Sequence, residues 1–406
     1  MKIAVVEFSP SGGLYQFALQ MADAYAAEGH AVELITGPDP ELLPRQAGVR
    51  LRPVLPTWHP AADEPAWLRS GPGAVLRKAR RGVRAGRLVL AWMRLAVLLG
   101  RSRPDVVQWA EWRFALDGWW VRRIVDRLGR GGRGPVHADV AHTPKPFEEQ
   151  RTSGELYRMS TPLLRALGSA YAAMDVVLVL GESARRDLLD TFPDLQRVEV
   201  IPHGDEGIFS TDTAEVGRPS DQPERILFFG TLARYKGLDL LLEAFALVRS
   251  DRPEAELVIA GAVADVDLDD LRTAVQRVGG VELRAGYVPA GAVAGLVAST
   301  RAVVAPYVVA NQSGVVHLAQ TFARPVVATD VGDLGVAVRD EETGLLVPPA
   351  NARALADALL RVLVDGTLAD RLGAAGLARS RASASWKTVA EQVLPIYAEL
   401  LAGRDS

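Results

Sequence analysis

Two short stretches of this chain carry residue types suited to gripping a phosphorylated ligand. In the first, FFGTLARYKG at 228–237, a β-type run ends at Gly230, and Arg234 and Lys236 follow just ahead of a helical pattern. Cations at a strand's carboxyl end, opposite a helix start, form a pyrophosphate clamp that neutralises charge building on a departing nucleotide diphosphate. The plainer reading is two solvated loop cations, the usual fate of Arg and Lys. The second stretch, PYVVANQSGVVHLAQTF at 306–322, places Asn311, Gln312, Ser313 and Gly314 before Val315, Val316, Leu318, Ala319 and Phe322 at helical spacing. The unpaired N–H groups of a helix start, with the positive end of the helix dipole, suit a phosphate. An ordinary capped helix without a ligand is the competing reading.

The elements that must position these residues follow a repeated grammar. Strand-like runs at 2–8, 31–36, 105–109, 136–142, 176–180 and 198–201 alternate with helical patterns, the first helix at 14–28 following the glycine turn Ser11-Gly12-Gly13. A polar stretch at 205–223 reads as a linker, and strands then return at 225–230, 256–261, 281–285, 302–306 and 325–329. Such alternation predicts two parallel βαβ arrays, with a ligand at strand carboxyl ends in the cleft between them. Expected domains are 1–205, 206–380 and a terminal helical segment 381–406, whose Pro395 suits a bent helix crossing back to the first domain.

Composition narrows the classes. A chain of 406 residues is long for one core, and 49% hydrophobic with 23% charged residues describes a soluble globular α/β protein. The net charge of −3 points away from nucleic acid, and the absence of cysteine excludes disulfides, thiolate metal sites and cysteine nucleophiles. The start, MKIAVVEFSPSGG, has too short an apolar run for a signal peptide, so a cytoplasmic location is expected. The DxD-like run Asp265-Val266-Asp267-Leu268-Asp269-Asp270 lacks the glycine and glutamate of a calcium loop and reads as acids ahead of a helix, so no metal is expected there.

Beyond single motifs, the run FFGTLARYKGLDLLLEAF, then ELVIAGAV, GYVPAGAVAGLVA, PYVVANQSGVVHLA, RPVVATDVGDL and ETGLLVPP resembles the donor-binding half of family 4 glycosyltransferases in order and spacing over about 225–365. The amino half fits too, with its Gly-Gly turn, AHTPKPF, and VEVIPHGDEGIF before the crossover. The resemblance implies the GT-B fold: two Rossmann-like domains facing across a cleft, with the C-terminal helix returning to the first. It implies retaining transfer of a sugar from a nucleotide diphosphate donor, without an essential metal or other cofactor, to a saccharide, glycolipid or natural-product acceptor. Carried over by position, Lys236 holds the diphosphate, and Ser313 and Gly314 offer amides to the distal phosphate. His142 approaches the transferred sugar, where without the resemblance it reads as a packed histidine. Gly12 and Gly13 bring the first loop close to the donor, and Gly230, Asn311, Gln312 and Val315 complete the donor-binding set.

There are departures. The glutamate pair usual in the family falls at Ala310 and Leu318, or at Asn311 and Ala319, none of them acidic. Asn311-Gln312-Ser313-Gly314 resembles a (Q/N)SG-type subset, with Gln312 replacing the first carboxylate, and Thr231 stands where the family has arginine, leaving Arg234 as substitute. A degenerate nucleotide-sugar-binding protein and a sugar-nucleotide epimerase are the alternatives. Between Arg69 and Arg103 ten basic residues and no acidic ones accompany LVLAWMRLAVLLGR. That basic helical face suits anionic lipid headgroups at the inner face of a membrane, or belongs to a buried helix with snorkelling arginines. Trp109 and Trp112 are candidates to stack on an acceptor sugar, whereas Trp119 and Trp120 read as core.

Overall fold

A computed structural model describes residues 1–57, 73–112, 114–129, 134–143, 161–209 and 217–404. In the first half, strands β1 (Lys2–Val6), β2 (Ala31–Thr36), β3 (Val49–Pro53), β4 (Val106–Trp109), β5 (Val136–Ala141), β6 (Val176–Val179) and β7 (Val198–Val200) form one sheet in the order β3-β2-β1-β4-β5-β6-β7. In the second, β8 (Arg225–Phe229), β9 (Glu256–Gly261), β10 (Val281–Ala285), β11 (Ala302–Ala305), β12 (Val326–Thr329) and β13 (Gly344–Val347) form another, in the order β10-β9-β8-β11-β12-β13. Pairing is parallel in register throughout, from Ile3 beside Val32 and Val106 to Val326 beside Val303 and Gly344.

Parallel strands need crossovers, and crossover helices cover both faces of each sheet. The strands are accordingly apolar on both sides. Ile3 and Val5 of β1 enter one core, which runs on into the second domain, while Ala4 and Val6 enter the other beneath the Gly73–Ser102 and Ala115–Leu128 helices. Strand order reverses between β1 and β4 and again between β8 and β11. Those two switch points open the crevices in which α/β sheets hold ligands.

The two halves are therefore the Rossmann-like domains expected of a GT-B arrangement. The Gly366–Ser383 helix packs on the second domain, whereas the Trp386–Ala402 helix, with Pro395 in its interior, packs on the Gly13–Ala27 helix and β5 of the first. Its anchor is buried: the Tyr397 hydroxyl donates to Gln108 Oε1 at 2.9 Å, and Tyr25 donates to the same oxygen at 2.8 Å. Arg197 forks onto Glu399, and the Trp386 indole donates to the Asp205 carbonyl at 2.7 Å.

Strand β3 and the helices Thr161–Tyr171, Glu182–Thr191 and Gly366–Ser383 were not anticipated from sequence. Within the anticipated linker, Gly207–Phe209 and Pro219–Asp221 are single 3-10 turns, and 210–216 lie outside the described residues. Among the described residues no helix is long and apolar enough to cross a membrane.

Tyr397→Phe keeps the ring in place and removes one hydroxyl from Gln108. In chemical denaturation it is expected to cost about 1 kcal/mol, against about 3–5 kcal/mol for the cavity left by Tyr397→Ala. Equal losses in the two variants count against the hydrogen-bonded anchor.

Candidate active site

The domains face each other across a cleft of about 480 Å³ whose walls are loops at the carboxyl ends of β1, β5, β8 and β11. Two helices begin on it. The Gly13–Ala27 helix starts after Gly12, whose φ of 81° lies in the left-handed region that favours glycine. A side chain built at Gly12 or Gly13 meets no atom within 4 Å, so this turn lays bare backbone along the cleft. The Gly314–Thr321 helix starts after Ser313, and neither helix start is capped by a side chain. The Ser313 hydroxyl is instead 3.1 Å from that of Tyr307, which leaves the leading amides of this helix available to an anion.

Lys236 lies opposite, at the end of a single 3-10 turn that Gly237 closes at φ 70°. Its ammonium is buried 5.2 Å from the Tyr307 ring centre and 5.9 Å from that of Tyr235, and among the described residues no carboxylate pairs with it. Burial pulls its pKa below the ordinary lysine value, and Tyr235 opposes this in part. Gly230 makes the room: a β-carbon there would stand 2.9 Å from the lysine nitrogen. Val315 and Gln312 border the same space. His142 follows β5, borders the cleft, and meets Phe17 edge-on at 4.6 Å.

Other expected residues are placed differently. Arg234 is exposed and turned from the cleft, its Nε donating to the Asp265 carbonyl at 3.2 Å and its amide to the Asp265 carboxylate at 2.9 Å. The 3-10 turn points Arg234 and Lys236 to opposite sides, so the second cation of the expected clamp is not in the cleft, and Thr231 borders it instead. Asn311 reaches the cleft, yet its side-chain amide donates to Asp187 of the first domain at 2.8 Å. Beside it Ser183 donates to Asp333 at 2.6 Å, while Glu41 accepts from the Tyr287 hydroxyl and, at 2.7 Å, from the Ala290 amide. Asn311 is thus part of an interdomain latch.

Asp267 caps the Leu268–Val278 helix by accepting from the Asp269 and Asp270 amides. Trp119, read as core, is 52% exposed with Arg123 over its ring, because it sits on the outer face of its helix. Residues 144–147 of the AHTPKPF motif lie outside the described residues.

Sequence reasoning assigned no role to Glu206, His203 or His317. Glu206 borders the cleft next to Gly314, where a built β-carbon would stand 3.3 Å from its carboxylate oxygen. Gln20 donates to it at 3.4 Å, and burial lifts its pKa to about 8. His203 and His317 stack behind it with ring centres 4.7 Å apart, both kept neutral by burial, His203 lowered to about 4. The signal was the HGDE run before the crossover, but burial, which gives it meaning, is not written in the residues.

Residues 223–365 match the profile described as glycosyl transferases group 1, and residues 11–204 match that of glycosyltransferase family 4. Alpha-maltose-1-phosphate synthase of Mycobacterium tuberculosis is 30% identical over 296 residues, 66% of this chain and 73% of that protein. The chain belongs to glycosyltransferase family 4. Among solved structures, sucrose-phosphate synthase from Thermosynechococcus elongatus superposes with a TM-score of 0.73 at 23% identity over 99% of each chain. Anabaena Alr3699/HepE, solved with UDP and glucose, does so at 0.68 and 15% identity, covering 98% of this chain and 100% of that one. The fold is GT-B.

In this family 4 glycosyltransferase the positions of the usual glutamate pair are the buried Ala310 and Leu318, or Asn311 and Ala319. A buried carboxyl beside the helix start comes instead from the segment that joins the domains, as Glu206. The folded state keeps the Glu206 proton up to about pH 8, whereas the unfolded chain releases it near the ordinary glutamate value of 4.5. Unfolding between those values releases a proton, so the stability that the protonated form supports is complete at low pH and is lost as pH rises through the folded value. Glu206→Gln should therefore raise the melting temperature relative to wild type by an amount that grows from pH 5 to pH 8. A difference independent of pH rules out a buried neutral carboxyl.

Proposed function

We propose that this chain transfers a sugar from a nucleoside diphosphate donor, UDP- or GDP-linked, to a hydroxyl of a saccharide, glycolipid or natural-product acceptor, with retention at the anomeric carbon. One observation carries the reading. A buried ammonium without a carboxylate partner among the described residues and an uncapped helix start border the same cleft, at the carboxyl ends of β8 and β11. A buried cation is costly until an anion neutralises it, and free helix amides select an anion, so one diphosphate satisfies both. The UDP held by the Anabaena protein supports a nucleotide in this role.

The chemistry follows from charge. As the bond from the anomeric carbon to the diphosphate oxygen breaks, its electron pair stays on that oxygen. There Lys236 and the amides at Gly314 and Val315 stabilise it more than they do the intact donor. The acceptor hydroxyl attacks from the same face, its proton passes to the departing phosphate oxygen, and His142 faces the transferred sugar. In this reading Lys236 and the amides supply the neutralisation, and no metal is required.

The missing acidic pair favours a second reading, a protein that binds the nucleotide sugar without transferring it. Release of nucleoside diphosphate from a panel of UDP- and GDP-sugars, with and without acceptor, separates the two. Epimerisation would instead show as donor interconversion without acceptor.

Membrane contact belongs to the same proposal. Arg69 and 58–72 around it lie outside the described residues, but further along the Gly73–Ser102 helix Leu90, Met93 and Val97 are 40%, 51% and 52% exposed. Ala91, Trp92, Leu95 and Leu99 bury the opposite face. Arg87 and Arg94 flank the exposed ridge, donating to the carbonyls of Pro56 and Val54, and Arg101 lies one turn beyond it. A ridge of apolar residues between cations is the pattern of an interfacial helix.

Lys236→Ala should lower transfer by about 10²–10³-fold and UDP affinity by about tenfold or more, with an unchanged circular dichroism spectrum. Wild-type UDP affinity should decline at alkaline pH, starting below the ordinary lysine range, and this decline should vanish in the variant. Wild-type turnover in Lys236→Ala removes the assignment. In flotation at low salt the protein should rise with anionic but not neutral vesicles, and Met93→Glu with Val97→Glu should abolish this; no flotation removes the membrane contact.

A further inference from the structure

The helix Glu182–Thr191 of the first domain starts against the turn that follows β12 of the second. Asp333, in that turn, lays its carboxylate on the helix start. It accepts from the Ser183 amide at 2.9 Å and from the Ser183 hydroxyl at 2.6 Å. Gly181 makes the approach possible, since a β-carbon there would overlap the Asp333 carboxylate. The helix dipole favours an anion at this end, so the contact sets the helix in register with the second domain. Asp187 lies one turn further along the same helix face and accepts from the Asn311 side-chain amide at 2.8 Å. Ala184 and Leu188 beside them are buried in the first-domain core together with Trp109 and Trp112, so Ser183 and Asp187 rest on a rigid support.

Asn311 is held at both ends. Its carbonyl accepts from the Asp333 amide at 2.9 Å, and its side chain reaches Asp187 and, at 3.4 Å, the Ser183 hydroxyl. The residue is buried, and only Gln312 and Ser313 separate it from Gly314, where the uncapped helix begins. The loop ahead of that helix thus has one support from its own domain, Tyr307 beside Ser313, and one from the other domain, Asp187. The residue type suits the partner. By one of the two counts made above, Asn311 stands where the family has a glutamate; a carboxylate there would meet the like charge of Asp187, whereas an amide donates to it.

Resting on the donor reading above, we infer that Asp187 is a positioning residue for donor binding: through Asn311 it holds the 311–314 loop in the form that presents the Gly314 and Val315 amides. The anion site of the second domain is therefore complete only while the first domain grips Asn311. A diphosphate on those amides stabilises the gripped state, and the grip strengthens diphosphate binding by the same factor. Asn311 acts through backbone geometry here and makes no contact with the transferred sugar.

The test begins with the unliganded full chain. Val316 and Asp333 donate their amides to the Ser313 and Asn311 carbonyls, so hydrogen exchange at both reports on the loop. Exchange should quicken about fivefold or more in Asp187→Ala and in Asn311→Asp, with β8 and β9 unchanged. Affinity for whichever of UDP and GDP the wild type binds more tightly should fall about fivefold or more in both variants. Asn311→Asp combined with Asp187→Asn swaps donor and acceptor, and should bring exchange and affinity back within about twofold of wild type. Faster exchange confined to 182–191, nucleotide affinity indifferent to Asp187→Ala, or a swapped pair no better than Asn311→Asp alone overturns the proposal. Binding of neither nucleotide to the wild type overturns the donor reading instead. Exchange at Val316 and Asp333 then decides the positioning by itself, and an unchanged rate in Asp187→Ala overturns it.

Discussion

The lysine ammonium buried between two tyrosine faces is the constraint around which the second domain is arranged. Burying it is unfavourable in the unliganded protein, and the surrounding backbone is shaped to hold it regardless. Gly230 yields the volume that a side chain would fill, and Gly237 turns the chain where any β-carbon would strike the Pro306 carbonyl. Tyr307 then serves twice, lending its ring to the cation and its hydroxyl to Ser313, which keeps that serine off the helix amides it would otherwise cap. The positive side of the cleft is therefore prepared before any ligand arrives, which is the form of electrostatic stabilisation that needs least reorganisation during reaction.

The joining segment and the first domain answer with a neutral carboxyl and bare backbone. Glu206, neutral through burial, can lie beside the helix start without competing for it as an ionised acid would. The stacked neutral imidazoles of His203 and His317 fill the seam behind it, one from each domain. Charge is thus distributed unevenly across the cleft, with the ammonium and the helix amides on one side and a neutral carboxyl facing them.

The fold was legible in the sequence because parallel strands buried on both faces must be apolar runs. Glu256–Gly261 and Val281–Ala285 were read at their observed limits for that reason. β3 escaped notice because VRLRP alternates arginine with apolar residues at a sheet edge, where one face is wet. In the site, the lysine, the glycines and the serine-headed helix could be placed by chain order, since each lies at a strand end or helix start. Side-chain direction could not. Arg234 and Lys236 sit two residues apart, and only the 3-10 turn decides that one faces Asp265 and the other the cleft. Asn311 was equally opaque, because its partner Asp187 is more than a hundred residues away.

The return of the last helix has a mechanical consequence. The chain passes between the domains twice, once between β7 and β8 and once at 384–386, and the Trp386 indole fastens one passage to the other through the Asp205 carbonyl. A single passage would act as a tether and allow the halves to drift in any direction. A doubled and riveted one acts as an axle, so relative movement is confined to swinging, and the Asn311 and Glu41 contacts across the cleft are the clasps that such a swing undoes.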